Sequence, residues 1–158
     1  MEISSDYEDL FKTFNKHKVK YLVIGAYAVI YYTEPRYTKD IDVWVKPDRS
    51  NSERVYEALK EFGAPLSGMD INKDFFTKKN MVYQIGVAPV RVDVLMGIEG
   101  VDFDKSWKNR EKVKYGRTMI NFIGMADLIK NKRKAKRKID EVDIEMLLKA
   151  RKMRAAEK

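Results

Sequence analysis

Three aspartates are the residues of this sequence whose types and spacing could do chemistry. Asp40 and Asp42 open one apolar run, and Asp93 lies in a second run, residues 90–95, that alternates apolar and polar residues. Side chains alternate faces along a strand, so Asp40 and Asp42 are predicted to share one face. Neighbouring carboxylates repel each other unless a cation lies between them, and Mg²⁺ or Mn²⁺ prefers oxygen ligands. We therefore predict that the three aspartates converge on one edge of a sheet as a metal site.

The preceding segment has to position the first two of these acids. An apolar run over residues 21–24 leads through Gly25 and Ala26 into an apolar stretch, residues 26–32, typical of a buried helix. The loop of residues 33–39 then delivers the chain to Asp40. The pattern predicts a strand, a turn, a helix, a loop and a second strand, with glycine allowing close backbone approach at the turn.

Composition limits the chemistry that is available. The 158 residues are the length of one domain, and we expect residues 1–158 to form a single unit with a basic helical part from about residue 124. There is no cysteine, which excludes disulfides, thiolate metal sites and thiol nucleophiles. His17 is the only histidine, so a metal site depends on oxygen ligands and a Ser-His-Asp triad would need His17.

The apolar segments and the net charge of the sequence indicate a compartment and a general class of partner. No apolar run approaches the roughly 18 residues that span a membrane, and the acidic start of the chain is unlike a signal peptide, so we expect a cytoplasmic protein without a membrane partner. Lys and Arg number 32 against 24 Asp and Glu, a net charge of +8. That charge favours a polyanionic partner or simply a soluble surface. The pattern does not indicate an oligomeric state.

The remaining periodicity predicts an α/β (α+β) fold: a mixed sheet of five or six strands flanked by helices, with helices at the C-terminus. Helices are predicted over residues 6–17, from a cap at Ser50, Asn51 or Ser52 to Gly63, from a cap at Asp102, and over 125–135 and 139–154. Further strands are predicted over 81–85 and 90–95, joined by a hairpin turn at 86–89, and over 111–115 and 118–123.

Taken together, these residues resemble the nucleotidyltransferase (DNA polymerase beta-like) superfamily, in which a strand and a Gly-[Gly/Ser] turn precede an acid, an apolar residue and a second acid. The segments IGAYAVIYY, PRYTKDIDVWV, QIGVAPVRVDVLMGIEGVDFDKSW and DLIKNKRKAKRKIDEVD are similar to the small AbiEii-type proteins. The family usually has Gly or Ser where this chain has Ala26, so a serine hydroxyl is missing from the turn.

The resemblance implies transfer of a nucleoside monophosphate from an NTP such as ATP to a hydroxyl acceptor, with pyrophosphate release. It implies that Asp40, Asp42 and Asp93 hold two Mg²⁺ or Mn²⁺ ions roughly 3.5–4 Å apart and that Asp93 acts as a general base. Backbone N–H groups of Gly25 and Ala26 are expected to receive phosphates at the helix start.

Other cationic and polar residues have two interpretations each. Arg36 is predicted to contact a phosphate or to pair with a carboxylate, and Thr38 to help hold either group. Seven of residues 130–138 are Lys or Arg. Such a run indicates either a solvated helix face or a surface that binds a polyanion. Lys130, with Lys132, Arg137 and Asp140, matches charged residues that recur in the family, and we assign Lys130 to nucleotide binding.

The acceptor stays open at this point. The basic segment favours RNA, such as a tRNA end in a toxin–antitoxin setting, while a partner protein or a small hydroxylated molecule is an alternative. A rival of another class is a nucleotidyltransferase-fold binding module or antitoxin-like partner without chemistry, which Ala26 favours and the three acids oppose.

Overall fold

The strands assemble into one mixed sheet in the order β3-β4-β2-β1-β6-β5. A computed structural model of the chain describes residue 1, residues 3–86 and residues 90–157. In that part of the chain there are six strands, as expected from the alternating segments. The strands are β1 (Tyr21–Ile24), β2 (Asp40–Val45), β3 (Val82–Ile85), β4 (Arg91–Leu95), β5 (Glu111–Tyr115) and β6 (Thr118–Phe122).

The central strands carry the core. All four residues of β1 are buried. Because successive side chains of a strand point to opposite faces, this burial requires that both faces of the sheet are covered. β1 pairs antiparallel with β2 and parallel with β6, while β2 pairs parallel with β4. The parallel β2–β4 pair brings two distant segments of the chain side by side.

Six α-helices in the described residues cover the sheet. α2 packs on β1 and β2 and also contacts α5 and α6, and α1 packs against α3. None of the helices in the described part of the chain has the length and apolar content to cross a membrane. The helices are α1 (Ser5–Lys16), α2 (Gly25–Tyr32), α3 (Arg49–Phe62), α4 (Phe103–Lys108), α5 (Met125–Ala135) and α6 (Lys138–Ala156).

The element boundaries follow the sequence patterns closely, with one incorrect cap. α3 begins after Asp48, whose side chain accepts a hydrogen bond from the Asn51 N–H at 2.7 Å. The predicted caps fail because Asn51 and Ser52 are buried and hydrogen-bond to the backbone of other segments. Gly63 ends α3 at φ +97°, as predicted.

The hairpin of β3 and β4 is confirmed in its antiparallel pairing. Of its predicted turn at residues 86–89, residues 87–89 lie outside the described residues. Asp102 caps α4 as predicted, accepting a hydrogen bond from the Lys105 N–H at 3.2 Å.

Candidate active site

The three aspartates converge because of the register between β2 and β4. Asp40 lies opposite Arg91, and Asp42 lies opposite Asp93. One carboxylate oxygen from each aspartate lies within 4.8 Å of the others. Ile41 between them is fully buried, as alternation predicts. The predicted meeting of Asp40, Asp42 and Asp93 at the sheet is therefore observed.

Arg91 neutralises part of this negative charge. Its Nη2 lies 2.5 Å from Asp40 Oδ2, and its Nε lies 3.2 Å from Asp93 Oδ1. The second contact is an ion pair without hydrogen-bond geometry. Asp93 Oδ1 is buried and accepts no hydrogen bond from the described residues. A buried carboxylate oxygen that accepts no hydrogen bond is costly in a medium of low dielectric.

Asp42 carries the largest electrostatic penalty of the three. Burial, together with the nearby charges of Asp40 and Asp93, raises the pKa of Asp42 to about 7, although Arg137 and Arg91 act in the opposite direction. Burial also raises the pKa of Asp93, against the lowering effect of Arg91. Asp42 and Asp93 therefore favour the neutral form more than exposed aspartates do, and a bound divalent cation would favour their ionised form.

Gly25 brings the start of α2 against the triad. It has φ +65°, and a Cβ built on it would lie 2.4 Å from Asp42 Oδ2. Only glycine combines that backbone conformation with so close an approach. The first turn of α2 has no side-chain cap, so its N–H groups are available for an anion beside Asp42.

A buried charge network from α5 and α6 forms another wall. The Lys132 ammonium lies 3.2 Å from Asp140 Oδ1 and 3.0 Å from Asp143 Oδ2, and its side chain is only 4 % exposed. Arg36 makes two hydrogen bonds to the Asp143 carboxylate, at 2.5 and 3.2 Å. Arg36 therefore follows the carboxylate interpretation, but its partner is Asp143 on α6.

The acids of this network are ionised. Burial opposes ionisation of Asp143, but the hydrogen bonds from Arg36 and Lys132 outweigh burial and lower its pKa. At Asp140 burial is likewise outweighed, by hydrogen bonds from Arg137 and Lys132, and the pKa is lowered. Asp140 also accepts from the Arg137 backbone N–H at 3.0 Å, which starts α6. The network ties the loop before β2 to the C-terminal helices.

A cavity of about 510 Å³ joins these groups. Gly25, Ala26 and Arg36 line it with the three aspartates, as the sequence predicted for a shared site. Thr38 lies outside that lining and donates a hydrogen bond to the Asp40 carbonyl at 3.2 Å. Lys130 is exposed on α5 and is not among the cavity's described lining residues. Its role in nucleotide binding stays a prediction.

Sequence reasoning missed the part played by four cavity residues. Alternation along β4 puts Arg91 on the same face as Asp93, but its pairing with Asp40 depends on the β2–β4 register. The family resemblance marks Lys132 and Arg137 only as recurring charged residues, and Asp143 is not among the predicted site residues. The spacing of Asp140 and Asp143 at the start of an apolar helix was the available signal for a buried network, because it puts both acids on one side of α6.

Comparison with known proteins supports the fold. No protein-family model matches the chain, and no curated protein matches it by sequence. Among solved structures, it is similar to the lincosamide antibiotic adenylyltransferase LnuA in a lincomycin-bound crystal structure. The TM-score is 0.57 at 15% sequence identity, covering 93% of this chain and 98% of that one. The six-stranded mixed sheet and its helices thus share the fold of that adenylyltransferase.

Proposed function

We propose that this protein is a metal-dependent nucleotidyltransferase that moves a nucleoside monophosphate from an NTP to a hydroxyl acceptor. The observation that carries the proposal is the meeting of Asp40, Asp42 and Asp93 beside the uncapped start of α2. Phosphoryl transfer needs charge neutralisation and placement more than covalent chemistry from the protein. An acidic cluster for cations next to N–H donors for phosphates supplies both requirements.

The donor set fits Mg²⁺ or Mn²⁺. Three carboxylates provide oxygen ligands within 4.8 Å of one another, and Asp93 Oδ1 accepts no hydrogen bond from the described residues. Asp40, Asp42 and Asp93 would hold the metal. When bound, it would neutralise charge on the triphosphate and make the acceptor hydroxyl easier to deprotonate.

The chain's own residues supply the remaining steps. In the proposed reaction the acceptor oxygen forms a bond to the α-phosphorus, the bond from that phosphorus to the β-bridging oxygen breaks, and pyrophosphate leaves. The hydroxyl proton passes to Asp93, whose carboxylate lies in the acidic cluster beside the proposed reaction centre. The α2 N–H groups and Arg137 would face the leaving pyrophosphate from the same cavity, while Lys132 holds Asp140 and Asp143 in place. Arg36 positions the loop before β2 through Asp143.

The test is a labelling assay with each α-³²P-labelled NTP, Mg²⁺ or Mn²⁺, and three acceptor pools: total RNA, cell protein and small metabolites. We add lincomycin as a defined acceptor because the structural neighbour was solved with it. Label in one pool with the intact protein, and none with Asp42→Asn or Asp93→Asn, is the expected result. Full activity in either correctly folded variant would sink the assignment.

The finer assignment to AbiEii-type proteins, with RNA in a toxin–antitoxin setting as acceptor, belongs to the same proposal and depends on which pool is labelled. The basic segment supports RNA. In the structure, however, Lys132 is buried and committed to Asp140 and Asp143, so it cannot meet an RNA backbone without breaking those pairs.

One observation favours a second candidate, a binding module without catalysis. Arg91 pairs with Asp40 and Asp93 and could take the place of a metal ion. Isothermal titration with Mn²⁺ separates the two functions. Binding of Mn²⁺ that is lost in Asp42→Asn supports the enzyme, whereas absence of binding to the intact protein, with or without NTP, supports the module.

A further inference from the structure

A second cavity, of about 610 Å³, lies directly beside the catalytic cavity. We call it the tyrosine pocket, because Tyr7, Tyr27 and Tyr37 line it together with apolar residues such as Ile30 and Val90. Tyr7 and Tyr27 pack edge to face with ring centroids 5.6 Å apart, while Tyr37 is 74% exposed. A volume in this range suits an organic molecule of moderate size.

The tyrosine pocket is continuous with the proposed reaction centre. Arg36 lines both cavities. Val90 lines the tyrosine pocket, and the next residue, Arg91, lines the catalytic cavity and pairs with Asp40 and Asp93. The Tyr7 hydroxyl donates a hydrogen bond to the Arg91 carbonyl at 3.0 Å. A molecule in the pocket would therefore lie within reach of the triad.

The two cavities differ in charge. Arg36 is the one charged side chain among the described lining residues of the tyrosine pocket, and Asp143 already accepts two hydrogen bonds from it. Phosphate groups need cationic partners, and the one cationic side chain described in this lining is already paired. Its tyrosine rings and aliphatic groups suit the faces of a ring system.

The in-line geometry of the displacement favours the tyrosine pocket as the acceptor's position. The groups suited to pyrophosphate, which are the start of α2 and Arg137, line the catalytic cavity and not the tyrosine pocket. In an in-line displacement, the attacking and leaving oxygens lie on opposite sides of the phosphorus. An acceptor in the tyrosine pocket would approach the α-phosphorus from the side that lacks those groups.

We infer that the tyrosine pocket is the acceptor site and that it takes a neutral, ring-containing hydroxyl compound rather than a nucleic acid. The inference rests on the proposed nucleotidyl transfer. The acceptor's hydroxyl oxygen becomes bonded to the α-phosphorus, its proton passes to Asp93, and pyrophosphate departs.

The experiment measures binding separately from turnover. Saturation-transfer NMR is recorded on the full chain with Mg²⁺ and a non-hydrolysable ATP analogue. The probes are a panel of neutral aryl glycosides, including p-nitrophenyl β-D-glucoside, and a short single-stranded RNA. Tyr37→Ala and Ile30→Arg alter the pocket, and Met153→Ala is the control at an exposed residue outside both cavities. Circular dichroism verifies that each variant is folded.

We expect at least one aryl glycoside to bind, with affinity reduced about fivefold or more in both pocket variants and unchanged in Met153→Ala. Affinity for a fluorescent ATP analogue should stay within about twofold, since the nucleotide lies in the other cavity. For a glycoside that accepts label, the pocket variants should raise KM more than they lower kcat.

Any one of three results would overturn the inference. The first is that no glycoside binds, or that the glycosides bind both pocket variants as tightly as the intact protein. The second is that the pocket variants weaken binding of the ATP analogue instead, which would identify the pocket as a nucleobase site. The third is that RNA binds and loses affinity in the pocket variants while the glycosides do not bind. Failure of the proposed function is distinct, because it is the absence of labelled product in every acceptor pool whatever the binding data show.

Discussion

Asp42 and Asp93 lie directly opposite each other on the parallel strands β2 and β4, fifty-one positions apart in the sequence. Burial, followed by the nearby charges of Asp40 and Asp93, raises the pKa of Asp42 to about 7. The protein therefore keeps a buried, electrostatically unfavourable group at the proposed reaction centre. Such an arrangement costs folding free energy and is typical of functional sites.

Removing the Asp42 charge should stabilise the metal-free protein and abolish the additional stability that Mg²⁺ gives. Asp42→Asn keeps the shape of the side chain and removes the repulsion from Asp40 and Asp93. We expect an equal or higher melting temperature in EDTA, measured by scanning calorimetry. Saturating Mg²⁺ at about a hundredfold above Kd should stabilise the intact protein by about 2.7 kcal/mol and leave the variant unchanged. A Mg²⁺ response retained in the variant contradicts Asp42 as a ligand.

The stability of the metal-free protein should depend on pH through the same residue. The pKa of Asp42 is about 7 in the folded protein against 3.8 as the reference value. Between these values the folded state binds more protons than the unfolded state, so the contribution of Asp42 to the free energy of unfolding falls as pH rises. The slope is at most about 1.4 kcal/mol per pH unit and vanishes above pH 7.

Urea titrations of the intact protein and Asp42→Asn at pH 5, 6, 7 and 8 in EDTA isolate this contribution. The difference in unfolding free energy should shift in favour of the variant from pH 5 to 7 and then stay level. A difference independent of pH would mean that Asp42 titrates normally.

Gly25→Ala should lose more stability than backbone strain alone explains. At φ +65° an alanine costs about 1–2 kcal/mol, and its Cβ would also lie 2.4 Å from Asp42 Oδ2 and displace that side chain. Gly63→Ala is the matched control, since Gly63 has φ +97° with nothing within 4 Å of an added Cβ. Urea unfolding should rank Gly25→Ala below Gly63→Ala. Equal losses of unfolding free energy in the two variants would show that the Asp42 side chain moves aside without an energetic cost.

Lys132→Met should destabilise the protein by about 3 kcal/mol, because Asp140 and Asp143 would lose a buried cationic partner. Lys130→Met, at an exposed position on the same helix, is the control and should change the unfolding free energy by less than about 0.5 kcal/mol. Chemical denaturation measures both. A similar small effect at both positions contradicts a structural role for Lys132.

The exposed basic side chains Arg133, Lys134 and Lys136 test the RNA alternative without disturbing that network. If the acceptor is a neutral compound, the triple glutamine variant should transfer nucleotide at an unchanged rate. If RNA is the acceptor, the variant should bind RNA more weakly with a shallower dependence on salt. Filter binding across a salt series, beside the transfer assay, gives both readings.

Local patterns in the sequence were enough for much of this architecture. The alternation around Asp40, Asp42 and Asp93 predicted their strands and shared faces, and Gly63 marked the end of α3, because these signals depend on neighbouring residues. The cap of α3 was misassigned because Asn51 and Ser52 are engaged by segments distant in the sequence. Local propensity contains no information about such partners.

The sequence by itself determined which strands carry the three acids and that oxygen ligands dominate any metal site. Only the tertiary structure decided their neighbours. The β2–β4 register placed Arg91 between Asp40 and Asp93, and the docking of α6 gave Asp143 to Arg36 and buried Lys132. The reason is physical: ion pairs and cavities form between side chains far apart along the chain, so their partners depend on packing that no local pattern encodes.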